Sequence, residues 1–373
     1  MARPGFLSSS GLALLLLALC WLVGLSRHRY LYSGGYEAST ANEGESKIPL
    51  ADVEGASKDA SLTSTVTPPS SAVAANPPAT SAAQGSSSQH TTTTTPEHPV
   101  SDRPLISYAY AESVSGRANF KYFLDQGLHG AADFIFIING ETDAADLIPQ
   151  KPNIRVVRRN NTCFDLGAHG EVLRKDDLWK KYKRFITLNA SIRGPFVPRW
   201  SKSCWSDNYL GRLTDKVKLV GMTINCGPQY HIQSMIFATD SVGMELMLYP
   251  PPGSSHPDPY GDEHDMVALQ GCYTTMQKAI HGEVGTTGVI RQAGYEVEAL
   301  MSAFTKSQRN YADECAEHPV ADVLYDHQYY GSNIHPYETI FMKANRDIDP
   351  VLINDLSDWH MNGAFPKAWD TCG

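Results

Sequence analysis

One stretch decides the fold of this chain: Lys183-Arg184-Phe185-Ile186-Thr187-Leu188-Asn189-Ala190-Ser191-Ile192-Arg193-Gly194-Pro195-Phe196. Its first half is a short apolar run, as a parallel strand covered on both faces requires. Its second half is small and polar, and Gly194 and Pro195 stop the strand from continuing. We therefore predict a buried strand that leaves the sheet at its carboxyl edge, with Asn189 and Ser191 on a tight turn. Open α/β sheets bind ligands at that edge.

Apolar runs and amphipathic segments alternate before this stretch. We predict a helix at 119–128, a second helix that opens at Phe164, and three strands, at 105–110, 134–138 and 154–157. Right-handed crossovers would place these strands parallel to the one at 185–188, with their loops at one edge. The sequence therefore predicts an α/β fold with a mostly parallel, Rossmann-type sheet flanked by helices.

The pattern continues after the stretch. Strands are expected at 217–223, 231–238 and 295–300, and a short helix at 244–249. Apolar residues recur at helical spacing over 264–280, which predicts an amphipathic helix that Gly282 ends. The remainder is rich in aromatic, His and Asp residues and reads mostly as loops that close over a site.

The amino-terminal part has a different composition. Residues 6–25 are almost wholly apolar, about the length that crosses a bilayer as a helix. A cleaved signal peptide is the alternative, but the run is long for one and no small-x-small site follows it. We predict a transmembrane signal anchor after a short cytosolic tail at 1–5. Flanking charge does not settle its orientation, because Arg3 precedes the span and Arg27 and Arg29 follow it.

Residues 26–104 form a predicted disordered stem. From position 39 onward this segment is rich in Ser, Thr, Ala and Pro, has Thr91 to Thr95 in a row, and contains no Phe, Trp or Tyr. It cannot build a core. The composition suits an extended stalk carrying O-glycans, with a cytosolic linker as the alternative.

Cysteine usage indicates an oxidising compartment. Of the seven cysteines, Cys20 lies in the apolar span and the other six lie in the compact part. An even number fits disulfides, and the sequence does not choose among the pairings. A zinc site is disfavoured because no Cys-x-x-Cys pair exists. The sequon at Asn160 is expected to be exposed.

The charge of the chain excludes one class of partner. The formal net charge is −9 and the compact part has no basic cluster. Nucleic-acid binding needs a basic surface, so no nucleic-acid partner is expected.

Five motifs follow one another along the chain: Asn160-Asn161-x-x-Phe164-Asp165-x-Gly167-Ala168; Phe185-Ile186-x-Leu188-Asn189-x-Ser191-x-x-Gly194-Pro195-Phe196; His231-x-Gln233-Ser234; Glu283 ahead of Gly294-Tyr295; and His335-Pro336-Tyr337-Glu338. This order resembles the GT-A glycosyltransferases, and in detail it is similar to the rhamnan-synthesis F-like group and its eukaryotic Golgi-type relatives. The resemblance covers residues 105–347. The motifs are specific as an ordered set and weak individually.

The resemblance implies an activity and a location. Residues 105–373 would form a GT-A-like domain that transfers a sugar from a nucleotide-sugar donor to a hydroxyl group of a glycan or glycoprotein acceptor. The order of anchor, stem and domain resembles a single-pass type II Golgi membrane enzyme whose catalytic domain lies in the lumen, with a secreted protein as the alternative.

The resemblance also raises the question of a metal. GT-A enzymes usually carry an Asp-x-Asp pair that holds Mn²⁺ or Mg²⁺ where this chain has Asn189-Ala190-Ser191. Neutral Asn and Ser lack the negative charge of a strong site for either ion. A cation would need Asp165 or the acidic run 262–265. Without one, Arg193 or Arg158 would neutralise the leaving diphosphate.

Further substrate contacts are implied by position in the motifs. Asp165 and Gly167 would contact the nucleotide, with helix capping and packing as their structural alternatives. His231, Gln233 and Ser234 would hydrogen-bond the acceptor or the donor sugar, although a buried and satisfied histidine is the usual alternative.

Glu283 is the predicted general base, because an inverting transfer needs a carboxylate to take the proton of the acceptor hydroxyl. It is expected just past the end of one helix and before the start of another. The alternative is a structural role, because a carboxylate is favourable at the N-terminus of that next helix. Asp265 is the second choice.

Two rival functions stay open. One is a catalytically inactive GT-A-like domain that binds glycans or partner proteins, which the missing Asp-x-Asp pair favours. The other is a secreted metal-dependent hydrolase that uses Asp262, His264 and Asp265.

Overall fold

The computed structural model describes residues 100–304, 311–317 and 322–372. The predicted tail, anchor and nearly all of the predicted stem lie outside these ranges and stay predictions. Within the described ranges, no helix combines the length and the apolar character needed to cross a membrane.

The strands of the described residues are, in chain order, β1 (Leu105–Ala111), β2 (Asp133–Asn139), β3 (Ile154–Arg159), β4 (Arg184–Asn189), β5 (Ile192–Arg193), β6 (Val217–Gly221), β7 (Ile224–Asn225), β8 (His231–Ile232), β9 (Ile236–Asp240), β10 (Glu296–Ala299) and β11 (Met342–Lys343). Seven of them form one sheet in the order β10-β6-β9-β4-β1-β2-β3. Two small ladders pair β11 with β5 and β7 with β8.

The central sheet is mostly parallel. Strands β3, β2, β1 and β4 run parallel to one another, β10 runs parallel to β6, and β9 is antiparallel to both of its neighbours. The apolar residues of β2 are at most 2% exposed, whereas the edge strand β3 is largely accessible. Continuous apolar runs thus lie where a strand is covered on both faces. The prediction of a mixed α/β fold with a mostly parallel sheet flanked by helices is confirmed.

The α-helices of the described residues are α1 (Val114–Gln126), α2 (Asp165–Arg174), α3 (Asp207–Leu210), α4 (Ser241–Leu248), α5 (Met276–Gln292), α6 (Tyr311–Glu317), α7 (Pro336–Thr339), α8 (Pro350–Asn362) and α9 (Ala368–Thr371), and short 3-10 helices lie at Ala144–Leu147, Lys175–Lys181 and Ser302–Phe304. Three of the longer ones begin at side-chain caps. Ser113, Asp240 and Thr275 each accept a hydrogen bond from a backbone N–H in the first turn of α1, α4 and α5. Such caps satisfy donors that a helix leaves unpaired.

The predicted helix at 264–280 is wrong in both its start and its end. Residues before Thr275 form turns, and α5 runs from Met276 through Gly282 to Gln292. Ala268 has a φ of 55°, which no α-helix permits, and its N–H donates to the Gly282 carbonyl instead. The helical spacing of apolar residues therefore comes from turns that pack on α5.

Two further predictions need correction. The expected strand at 231–238 is divided into β8 and β9, because Gln233 N–H bonds the Thr223 carbonyl and Ser234 N–H bonds Glu283. The carboxyl-terminal part, expected mostly as loops, contains the 13-residue helix α8.

Three disulfides link distant parts of the chain: Cys163–Cys272, Cys204–Cys372 and Cys226–Cys315. Their Cα atoms lie 4.9 to 5.4 Å apart, within the usual range for this bond. The expectation that these cysteines form disulfides is confirmed. Asn160 is exposed, as its sequon requires.

Candidate functional site

A cleft of about 450 Å³ opens at the carboxyl edge of the parallel strands. The chain proceeds from β1 to β2 on one side and returns to β4 on the other, so this edge holds a topological switch point, where α/β sheets bind ligands. The cleft is lined by the ends of β1, β2 and β4, the start of α1, the loop before α2, and Tyr273, Thr274 and Asn345. Two helix N-termini thus face it, an arrangement that favours anions.

The turn after β4 lies in this cleft. Asn189 donates from Nδ2 to Asp165 Oδ2, and its Oδ1 accepts hydrogen bonds from the Ser191 N–H and hydroxyl. Lys343 donates from Nζ to Ser191 Oγ over 3.0 Å. Asn189 and Ser191 were predicted on a turn at this edge, and they lie there beside Asp165, while Lys343 joins them from a distant part of the sequence.

Asp165 is the first residue of α2, and its cap position is taken by Phe164. Burial raises the pKa of the Asp165 carboxyl above its ordinary value of 3.8. The hydrogen bond from Asn189 opposes this rise, and the negative charge of Glu283 adds to it. A carboxyl group in such surroundings holds a proton more readily than one in water.

Glu283 lies in the middle of α5 and not past a helix end, which corrects its expected position. Its Oε2 accepts hydrogen bonds from the N–H and the hydroxyl of Ser234, the first of them over 2.8 Å. Its Oε1 lies 3.4 Å from His231 Nε2, and His231 Nδ1 bonds the Gln229 carbonyl over 2.7 Å. These residues do not line the cleft, but the charge of Glu283 acts on both Asp165 and Lys343.

Glu283 and His231 stabilise each other in their charged forms. Burial raises the pKa of Glu283, but the hydrogen bond and the charge of His231, together with Ser234, outweigh it and lower the pKa to about 2. Burial likewise lowers the pKa of His231, and the bond and charge of Glu283 outweigh it, so this pKa is raised above 6.5. A carboxylate of such low proton affinity is a weak base near neutral pH.

This pair predicts a stability maximum in mildly acidic solution. The contribution of Glu283 to the free energy of unfolding is complete above its unfolded-state pKa of 4.5 and is lost as pH falls toward 2. The contribution of His231 is complete below 6.5 and is lost as pH rises through its folded-state pKa. The wild-type free energy of unfolding minus that of Glu283→Gln should therefore peak between pH 4.5 and 6.5, at about 3 kcal/mol. Urea unfolding across pH measures it, and a difference that keeps rising above neutral pH would contradict the pairing.

Gln233 is held in a separate set of buried contacts. Its Oε1 accepts from Thr223 Oγ1 over 2.8 Å, and its Nε2 donates to Asp322 Oδ1 over 3.1 Å. Asp322 also accepts from Arg346 Nη1 over 2.5 Å. Gln233 thus connects the loop after β8 to the carboxyl-terminal part and does not line the cleft.

Neither arginine suggested for the diphosphate reaches the cleft. The Arg193 guanidinium is buried between α1 and α8, where it donates to Asn119 Oδ1 and Asn354 Oδ1 over 2.9 and 2.8 Å. Arg158 is exposed on β3 and lies 3.6 Å from Asp146. Neither side chain is therefore placed to contact a ligand in the cleft.

Gly167 is buried under the loop before α5 and does not line the cleft. A Cβ placed there would lie 2.7 Å from the Gly271 carbonyl oxygen and 3.1 Å from the Cys272 Cα. A role for Gly167 in close packing therefore fits the structure better than the expected contact with the nucleotide.

Substituting Gly167 by alanine should lower the free energy of unfolding by about 1–3 kcal/mol, because backbone atoms block the new methyl group. Gly288→Ala is the matched control, since a Cβ at that position in α5 meets no atom within 4 Å. The control should stabilise the protein by about 0.5–1 kcal/mol. Denaturant unfolding of both variants measures the contrast, and equal effects would refute the packing explanation.

The acidic run at 262–265 lies outside the cleft. Asp265 pairs with Lys278 over 2.5 Å and accepts from the Asp262 N–H, while the His264 side chain is 86% exposed. Within the described residues, three potential metal ligands lie within reach of one another at His129, Cys204 and Cys372. The two cysteines form a disulfide there. The run therefore gives no support to a metal-dependent hydrolase, nor to Asp265 as a base.

A second polar set has the spacing of a Ser-His-Asp triad. Ser255 Oγ lies 2.9 Å from His281 Nε2, and His281 Nδ1 lies 2.9 Å from Asp258 Oδ2. The Ser255 hydroxyl, however, donates its hydrogen bond to the Asp262 carbonyl over 2.9 Å. Because a carbonyl cannot donate, His281 must donate to Ser255, and the hydroxyl is not activated. This set holds the loop 255–262 onto α5.

Sequence reasoning missed two cations beside the cleft. Arg159, at the end of β3, donates to Asn139 Oδ1 over 2.6 Å and pairs with Glu171 over 2.6 Å. Lys343 lies 152 residues from its partner Ser191. The sequence signal for Arg159 was its position at a strand end beside Arg158, whereas no local signal pointed to Lys343.

The comparisons with known proteins identify no family. No protein-family model matches the chain, and no curated protein matches it. Among solved structures it is similar to a cytidylyltransferase from Leptospira borgpetersenii serovar Hardjo-bovis (strain JB197), at 12% identity and a TM-score of 0.30 over 54% of this chain and 75% of that one. It is also similar to HddC from Yersinia pseudotuberculosis, at 12% identity and a TM-score of 0.27 over 40% of this chain and 80% of that one. Likenesses at this level do not extend to function.

Proposed function

We propose that this chain transfers a sugar from a nucleotide-sugar donor to a hydroxyl group of a glycan or glycoprotein acceptor. The observation that carries the proposal is the cleft at the switch point of the sheet, where two helix N-termini meet the Asn189-Ala190-Ser191 turn. Helix N-termini attract phosphate groups. The turn stands where the GT-A enzymes that the sequence resembles hold the donor diphosphate. A volume of about 450 Å³ also falls in the range of ligand pockets.

Asp165 is the residue to which we assign proton transfer. For transfer with inversion, the acceptor oxygen attacks the anomeric carbon, the bond from that carbon to the diphosphate breaks with its electron pair on the diphosphate, and a carboxylate takes the hydroxyl proton. Asp165 lines the cleft, and burial raises its pKa above the ordinary value, which makes its carboxylate a stronger base than one in water. Glu283 is ionised and fully engaged, so its proposed task is to hold Ser234 and His231 in place.

The proposed location is the Golgi membrane, with the catalytic domain in the lumen. Three disulfides support an oxidising compartment. The apolar segment 6–25 supplies the proposed single-pass type II anchor, and the exposed Asn160 the proposed glycosylation site. Loss of mass on treatment with an N-glycosidase, abolished in Asn160→Gln, would support the luminal side. A protease-accessible domain in sealed microsomes would contradict it.

A donor screen tests the proposed activity. The full chain is incubated with a panel of nucleotide sugars, with EDTA or with Mn²⁺, and release of the nucleotide is measured beside thermal unfolding, since a ligand bound only to the folded form raises its stability. We expect one donor to raise the unfolding temperature and to be turned over slowly even with water as acceptor. Binding without turnover in any condition would favour the inactive glycan- or partner-binding domain, which the missing Asp-x-Asp pair supports. If no donor is bound and none is turned over, the proposal is refuted.

A further inference from the structure

The oxygens of the turn after β4 are a poor set for a divalent cation. Asp165 Oδ2 accepts from Asn189, and Asn189 Oδ1 accepts from both the N–H and the hydroxyl of Ser191. Mg²⁺ and Mn²⁺ prefer carboxylate and other free oxygen ligands. One carboxylate that is already bonded, beside an amide and a hydroxyl that bond each other, does not fit a strong site.

A protein cation is placed at this turn instead. The Lys343 ammonium donates to Ser191 Oγ over 3.0 Å, and that hydroxyl in turn donates a hydrogen bond to Asn189 Oδ1. A metal ion that used the Ser191 or Asn189 oxygens would therefore have to displace the ammonium group or accept its repulsion.

The backbone fixes Lys343 in this position. Strand β11 pairs antiparallel with β5, so that Lys343 lies opposite Ile192, and the Ala344 N–H donates to the Ser191 carbonyl over 3.0 Å. Asn345, two residues further on, lines the cleft. The lysine is thus carried on a short strand that runs along the turn.

Three other cations of the domain are bound by carboxylates or by amide groups. Arg159 pairs with Glu171, Arg346 pairs with Asp322, and Arg193 is held by two asparagines. Among the described residues, Lys343 has no carboxylate within ion-pair distance, and its hydrogen-bond partner is a neutral hydroxyl. Lys343 is not itself a lining residue, but its ammonium group bonds Ser191, which lines the cleft, so its charge lies beside a bound ligand.

Charges of both signs act on Lys343. Burial lowers the pKa of Lys343 below its ordinary value of 10.5, and the charge of Arg346 lowers it further, while Glu283, Asp165 and Asp322 act in the opposite direction. A bound diphosphate would add negative charge at short range and so favour the protonated amine.

We infer that the Lys343 ammonium takes the place of the divalent cation and neutralises the diphosphate of the donor in this cleft. The inference rests on the proposed function. It replaces Arg193 and Arg158 in that role and makes nucleotide binding independent of metal. A positive group beside the departing oxygen supplies the stabilisation that the ion would otherwise give.

Binding of nucleotides by the full chain, measured by calorimetry, tests this inference. The probes are ADP, CDP, GDP and UDP with the matching monophosphates, each titrated in EDTA and in Mn²⁺. We expect one diphosphate to bind the wild type equally well in both conditions. Lys343→Gln keeps a hydrogen-bond donor for Ser191 but removes the charge, and should weaken that diphosphate about 10- to 100-fold, as expected for loss of one charged contact. Lys343→Arg should retain most of the affinity.

The monophosphate separates charge neutralisation from a structural role. Because Lys343 is assigned to the diphosphate, Lys343→Gln should weaken the diphosphate more than the monophosphate, whereas a distorted cleft would weaken both alike. Lys218→Met is the matched control: this lysine is also little exposed, but it pairs with Asp240 at the opposite edge of the sheet. It should leave both affinities unchanged.

Two results would overturn the inference. If the diphosphate binds only with Mn²⁺, or binds Lys343→Gln as tightly as the wild type, Lys343 does not replace the metal, although the proposed function survives. If no diphosphate binds the wild type in either condition, the inference and the proposed donor class fail together.

Discussion

Replacing Asp165 with asparagine is expected to lower the rate of sugar transfer by about 10²- to 10⁴-fold, the range for loss of a general base. The amide has the shape of the carboxylate, and its oxygen can still accept the hydrogen bond from Asn189. The turn should therefore keep its geometry, and nucleotide binding should change little. The measurement is kcat with the donor selected by the screen, beside the dissociation constant of its nucleoside diphosphate.

Glu283→Gln is the comparison that separates the two carboxylates. It leaves His231 facing an amide, and breaking such a pair should lower the free energy of unfolding by about 3 kcal/mol or more. At a temperature where the variant is still folded, it should retain far more transfer activity than Asp165→Asn. The reverse pattern, with Asp165→Asn active and Glu283→Gln folded but inactive, would restore Glu283 as the base.

Removing the disulfide between Cys204 and Cys372, with serine at both positions, is expected to lower the free energy of unfolding by about 5 kcal/mol. The bond joins residues 168 apart in sequence, and closing so long a loop restricts the unfolded chain strongly. It also secures α9, the helix that ends one residue before Cys372. Denaturant unfolding of oxidised wild type and variant measures the difference.

Thiol labelling is the control for this experiment. Denatured wild type should show no free thiol at Cys204 or Cys372 until a reductant is added. When both proteins are fully reduced, the wild type and the double-serine variant should unfold at nearly the same denaturant concentration. A loss of less than about 1 kcal/mol in the oxidised variant would mean that the bond does not constrain the chain.

The strands beside the cleft could be predicted because their signal is local. Residues 134–138 and 185–188 are continuous apolar runs, and such a run is stable only where both faces of a strand are covered. The polar residues that follow each run must then leave the sheet at one edge, which is why Asn189 and Ser191 were expected there.

Predictions that relied on periodicity alone did less well. The spacing over 264–280 suggested a helix, yet Ala268 is buried in a turn, where its N–H bonds the Gly282 carbonyl, and Cys272 is exposed and forms a disulfide with Cys163. Apolar spacing alone does not determine whether a segment forms a helix or a series of turns.

The sequence by itself determined the order of strands and helices, the carboxyl edge that carries the cleft, and the absence of an acidic pair from the turn after β4. Only the tertiary structure decided which charges act there. The pairing of β11 with β5 brings Lys343 to Ser191. The packing of α5 against β8 and the loop after it places Glu283 in contact with Ser234 and His231. Apolar runs and turn residues act on their neighbours along the chain, whereas these charges meet across long separations whose closure depends on the whole fold.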